Sequence, residues 1–151
     1  MASFTKNATK RTPFGKNAYL RSTQDVKYES YTLAASTVPT ITIDTNAGKT
    51  IQPGTVMAKC TSGAESGKIG PFQTGATDGR QTVANIVGVL DTFLPWQLDN
   101  RDVEVAVAYE ATVVGAWLFE AASATAYQAA QTATKAALAT GGGANCAILV
   151  R

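Results

Sequence analysis

No histidine occurs in the 151 residues. That absence removes the Ser-His-Asp and Cys-His arrangements, the imidazole general base and the usual zinc cages. Cysteine is scarce as well. Cys60 and Cys146 stand far apart with no CxxC pair and no further thiolates, so a structural zinc site fails on ligand count. One disulfide remains arithmetically open. The opening residues, Met1-Ala2-Ser3-Phe4-Thr5-Lys6, contain no apolar targeting core, so no oxidising compartment is implied and both cysteines are expected to be reduced, buried and small-hydrophobe-like. Long apolar runs are missing too. The longest, near Val113 to Phe119, falls well short of the roughly 20 residues a helix needs to cross a bilayer, so no membrane association is expected. Without a secretory context, the sequon Asn7-Ala8-Thr9 reads as chance.

What is present suits one folded domain with a tail. Hydrophobic residues make up 45% and charged residues only 16%, enough apolar material for a core at this length. Charge is unevenly placed. Residues 1–30 carry Lys6, Lys10, Arg11, Lys16, Arg21 and Lys27 against Asp25 and Glu29, while the rest of the chain is mildly acidic. Phe4, Phe14, Tyr19, Tyr28 and Tyr31 are scattered through this basic stretch with neither helical nor strand periodicity. Ordering each such residue costs about 1–2 kcal/mol of backbone entropy. The expectation is an extended basic arm over residues 1–32, ordered only by a partner, on a compact β-rich body over residues 33–151.

Within the body, Val38 to Ile43 followed by Asp44-Thr45-Asn46-Ala47-Gly48, and Pro53-Gly54 before Thr55 to Cys60, predict a hairpin meander. Val83 to Leu90 is almost wholly apolar, as for a strand covered on both faces. Asp102 to Glu110 alternates, with Val103, Val105, Val107 and Tyr109 on one side. Alanine-rich Ala124 to Thr140, with Ser123 or Thr125 as cap and Gly141-Gly142-Gly143 as stop, predicts one helix. Its packed stripe would run through Ala126, Tyr127, Ala130, Ala133, Ala137 and Leu138, interrupted by Thr134. Cys146 to Val150 predicts an internal last strand. The fold class is therefore mainly β with one short helix.

Few motifs carry chemistry. Gly63-Ala64-Glu65-Ser66-Gly67-Lys68-Ile69 superficially matches a phosphate loop, but it has one residue too few between the glycines and an isoleucine where magnesium needs a hydroxyl. Asp102 and Glu104 share a strand face at a spacing suited to acid/base work or a cation, yet no third carboxylate accompanies them and a solvated face explains them. No catalytic residue, metal or cofactor is expected. The basic arm could bind nucleic acid through phosphate contacts and base stacking, or add a strand to a protein partner, and the second suits its Thr, Tyr, Val and Phe content better. Trp96, beside Pro95, reads either as a loop folded over the core or as an interface anchor.

Several segments then line up in one order: Ile51-Gln52-Pro53-Gly54-Thr55-Val56-Met57-Ala58-Lys59, Gly75-Ala76-Thr77-Asp78-Gly79 leading into Ile86-Val87-Gly88-Val89-Leu90, and Glu120-Ala121-Ala122-Ser123 before a short helix and terminal strand. This order resembles the head decoration proteins of tailed phages, the family of the phage lambda head protein, over about residues 40–151. The resemblance implies a non-enzymatic, structural protein on the outer surface of the virion head, made in the host cytoplasm. It further implies homotrimers at three-fold sites of the expanded capsid, the major capsid protein as partner, and an N-terminal arm that orders on the shell. The arm here is longer and more basic than the family pattern. The expected capsid-binding residues of the arm are Phe4, Lys6, Lys10, Arg11, Phe14, Tyr19, Tyr28 and Tyr31, with Trp96 at a possible interface. Nucleic acid, bound by the same arm, is the alternative partner.

Overall fold

A computed structural model describes residues 18–43, 45–92, 101–140 and 146–151. Ten strands and one α-helix are formed among them: β1 (Lys27–Leu33), β2 (Thr40–Ile43), β3 (Asn46–Lys49), β4 (Val56–Lys59), β5 (Ile69–Pro71), β6 (Ile86–Leu90), β7 (Val103–Val113), β8 (Phe119–Ser123), β9 (Ala126–Ala129), α1 (Thr132–Ala139) and β10 (Ala147–Val150). The protein is mainly β with one short helix among the described residues, as its sequence predicts.

Five strands close on themselves in the order β1-β5-β4-β6-β7. The closing strand is β1, antiparallel to β7 along its whole length and parallel to β5 at the single rung Leu33↔Ile69. Closure removes most of the exposed strand edge. A bulge in β7 is forced where Lys27 pairs with Glu110 but the next residue, Tyr28, pairs with Ala108. Glu110 pairs with both Lys27 and Ala147, so β10 lies on the opposite edge of β7 from β1. Two further hairpins, β2–β3 and β8–β9, stand beside the ring. The second is tied to it by Phe119 N–H on Gly54 O (2.9 Å) and Ala121 N–H on Phe72 O (3.0 Å).

Two apolar clusters follow from this closure. Leu33, Met57, Ile69, Leu90, Val105 and Val107 draw on every strand of the ring and fill it. Val56, Ala58, Ile86, Val89 and Ala108 face the other way, under Tyr19, Phe72, Leu118, Leu138 and Ile148. Strands β4 and β6 are thus covered on both faces, which is why Val56-Met57-Ala58 and Ile86 to Leu90 are unbroken apolar runs. Gly88 makes this packing possible. It has φ +145°, and a Cβ there would sit 2.2 Å from the Ala108 carbonyl oxygen.

Four expectations are corrected. The boundary at residue 32 falls inside the folded unit: β1 is a ring strand, and upstream of it Arg21 N–H bonds Thr112 O (2.9 Å) and Val114 N–H bonds Tyr19 O (2.8 Å). Strand pairing supplied by distant β7 replaces the local periodicity that the stretch lacks. The helix is half its predicted length, because residues 126–129 pair with β8 instead, and Ser123 Oγ accepts the Thr125 N–H (3.2 Å) in the hairpin turn rather than capping a helix. Thr134 lies on the packed side of α1 and Ala133 is exposed, the reverse of the predicted stripe, because the Thr134 hydroxyl has a buried acceptor. Finally, among the described residues β10 pairs only with β7, and it exposes Ala147 and Leu149, so it is a flanking strand covered on one face.

Candidate interaction surface

Of the residues assigned to a binding arm, Tyr19 is the most changed by folding. Its ring is 1% exposed, and its hydroxyl donates to Asp91 Oδ1 at 2.7 Å. Burial, reinforced by the neighbouring carboxylate, drives the phenol far above its ordinary range and keeps it protonated. Gly54 makes room for it, since a Cβ there would meet Tyr19 Cβ at 3.2 Å and the Trp117 carbonyl oxygen at 2.4 Å. Tyr19 is therefore an anchor within the core and presents no contact surface. Tyr28 is 47% exposed on β1. Tyr31 is half-buried against the ring core and donates to Glu29 Oε2 at 2.7 Å; burial first, and then that bond, push its phenol up to about 12. Phe4, Lys6, Lys10, Arg11, Phe14 and Trp96 lie outside the described residues.

The motifs weighed for chemistry resolve into structural ties. Lys68, at the end of the glycine-bounded loop, reaches Glu65 (2.6 Å) and Asp102 (2.5 Å), and Asp102 also accepts the Ala35 N–H (3.0 Å). Lys68 holds both carboxylates below their usual range, aided at Glu65 by Ser36 and at Asp102 by that backbone bond. Asp102 is thus a clamp between the loop, the turn at Ala35–Thr37 and the start of β7, while Glu104 is exposed. No group of three or more His, Cys, Asp or Glu side chains able to hold a metal is found among the described residues.

The Thr77-Asp78-Gly79 turn acts in the same way. Asp78 receives Arg80 Nε at 2.8 Å, and Arg80 Nη1 donates to Pro71 O at 2.9 Å, so the buried guanidinium ties the turn to β5. Gly79, at φ +106°, presses on Thr61. Both cysteines are free and buried. Burial pushes each thiol up to about 11, with the Asp78 charge adding to the effect at Cys60.

One polar cluster was missed by the sequence reading. Glu120 is 1% exposed and accepts three bonds, from Gln128 Nε2 (2.7 Å), the Gln131 N–H (3.3 Å) and the Thr134 hydroxyl (2.5 Å). It fastens β8, β9 and the start of α1 with neutral donors alone. Only the spacing of one acid between apolar residues in Phe119-Glu120-Ala121 hinted at it.

No protein-family model matches the chain, and no curated protein sequence matches it.

Proposed function

We propose that this chain is a capsid decoration protein: a structural cement that binds the expanded head of a tailed virus as homotrimers and opposes the outward pressure of packaged DNA. The supporting observation is how the basic N-terminal stretch joins the body. Residues 19–21 pair with residues 112–114, and Tyr19 is locked into the core through Asp91. Load on the preceding seventeen residues, which carry Lys6, Lys10, Arg11, Lys16, Phe4 and Phe14, would therefore be transmitted to a closed ring of strands instead of peeling away a loose end. The segments that resemble phage decoration proteins also fall on connected parts of the fold: Ile51 to Lys59 on the approach to β4 and the strand itself, the Asp78 turn before β6, and Glu120 in the hairpin that leads to α1.

In this role no bond is made or broken. A trimer spanning several shell subunits adds buried area that exists only in the mature lattice, so its binding energy stabilises that lattice by mass action. Aromatic side chains and added strand pairing would carry the shell contacts. Co-sedimentation tests the reading. The protein should bind expanded heads and leave precursor heads bare, with density at three-fold positions. Copies confined to two-fold or hexamer-centre positions would refute the trimer, and tight, steeply salt-dependent binding to naked DNA in place of heads would favour the nucleic-acid-binding alternative.

A further inference from the structure

Nine cations lie among the described residues, and four of them are engaged: Lys27 with Glu110, Lys68 with Glu65 and Asp102, Arg80 with Asp78, and Lys49 with the Ala35 carbonyl. Of the remaining five, Lys59 lies at the end of β4, paired with Ile69, and Arg101 lies just before β7. Arg21, Lys135 and Arg151 converge on residues 112–115. Arg21 donates its backbone N–H to Thr112 O (2.9 Å), Arg151 donates its own to Val113 O (3.0 Å), and the Lys135 side chain runs 3.7 Å from where a Cβ on Gly115 would be.

Pairing to residues 112–115 sets where the two arginines stand. Leu20 and Val150 both pair with Val113, and all three face the core cluster. Arg151 extends the β10 pairing by one residue, donating its N–H to Val113 O and accepting the Gly115 N–H, so it turns to the opposite face, the side of Thr112 and Glu110; Arg21, exposed in the bend just past the Leu20–Val113 bridge, lies beside Thr112 through its backbone bond. They flank β7 across roughly 10 Å, two strand spacings. Leu149, paired with Thr112 on that same face, is 46% exposed between them. Glu110 is taken by Lys27 at 2.8 Å, and Asp25 sits in the turn before β1. The described residues begin at 18, just before the Tyr19–Arg21 pairing at this same rim.

We propose that this face, with Arg21 and Arg151 around Leu149 and Lys135 at its edge, docks on a carboxylate-rich protein surface, which under the function proposed above belongs to the shell. An exposed leucine set between two arginines suits a protein surface, where apolar contact and charge pairing alternate, better than a phosphate backbone, which offers charge alone. Among the described residues, Arg21 and Arg151 bond only through their backbones, so reversing the sign of their side chains removes no described bond.

The experiment compares the full-length chain with R21E/R151E. Melting temperatures should agree. Affinity for expanded heads of the encoding virus should fall about tenfold or more, and the salt dependence of binding should become shallower. Equal affinity and equal salt dependence would overturn the proposal. A poly-L-glutamate column supplies a readout independent of heads: the variant should elute at lower salt than the native chain, and co-elution would overturn the proposal even if the native chain bound no heads. Should the native chain prefer duplex DNA to heads, and lose that preference in R21E/R151E, the face is a nucleic-acid contact and the carboxylate assignment is wrong. Failure of the native chain to bind heads, with the column shift intact, would overturn the decoration reading alone.

Discussion

Tyr19 sits in a stretch with no periodic signal, yet its hydroxyl meets a carboxylate 72 residues away inside the core. Tyr19→Phe keeps the ring and removes the donor from a buried acid, which should cost about 1–3 kcal/mol. At this chain length each kcal/mol is worth about 2–4 °C of melting temperature, measurable by calorimetry. Gly88→Ala should be at least as damaging, because the new methyl meets a backbone oxygen that cannot rotate away and the residue must keep φ +145°. The thiols make a pH prediction. Folding raises each from an ordinary value of 9.0 to about 11, so the folded state holds the proton more tightly than the unfolded chain. That stabilisation is whole below about pH 9 and is lost as the pH climbs toward 11, the direction opposite to a paired carboxylate. The melting temperature should therefore be level near neutrality and fall on the alkaline side, and Cys146→Ala should flatten the slope. Thiol reagents should label the native protein only as fast as it opens.

At the scale of elements, α1 shows how little intrinsic propensity decides. Eight residues form too short a helix to persist alone in water, however rich in alanine. It exists because Leu138 and Ala137 are buried on the sheet and because Glu120 gathers donors from both sides of the helix start. Glu120→Ala leaves Gln128, Gln131 and Thr134 without their acceptor, at a cost of about 1–3 kcal/mol for each group that stays buried. The loss should be seen first as faster amide exchange over residues 132–139, before global unfolding. Thr134→Val should move stability the same way by a smaller amount, since only one of the three donors disappears.

For the whole molecule, the closed ring decides where the chain can be cut. Removing residues 1–17 takes away no described strand and none of the described core residues, so the shortened protein should keep its melting temperature within a few degrees while binding heads more weakly under the proposed function. Removing residues 1–33 deletes β1 and Tyr19, opens the ring between β5 and β7, and strips the cover from Ala108 and Val113. That fragment should be insoluble or should lack cooperative unfolding. Circular dichroism and solubility of the two truncations check both statements.

Composition and pattern alone pointed to a small β-rich domain: the apolar run from Val83 to Leu90 read as a strand covered on both faces, of which Ile86 to Leu90 forms the strand and residues 83–85 a 3-10 turn, the alternation from Val103 onward read as a strand, and glycine- and proline-marked turns separate them. The lack of histidine and of clustered thiols was likewise readable at once. The affiliation of residues 19–33 was not, because their order comes from hydrogen bonds to β7, some eighty residues later, and local periodicity carries no trace of a distant partner. The choice between helix and hairpin at Ala126–Ala129 was hidden for a related reason. Alanine and glutamine favour helix locally, but the Tyr127 hydroxyl finds Thr50 O at 2.9 Å and Glu120 finds its donors only when the hairpin forms. Local propensity differences of a few tenths of a kcal/mol per residue yield to buried rings and satisfied buried polar groups, and those energies are set by which surfaces meet in three dimensions.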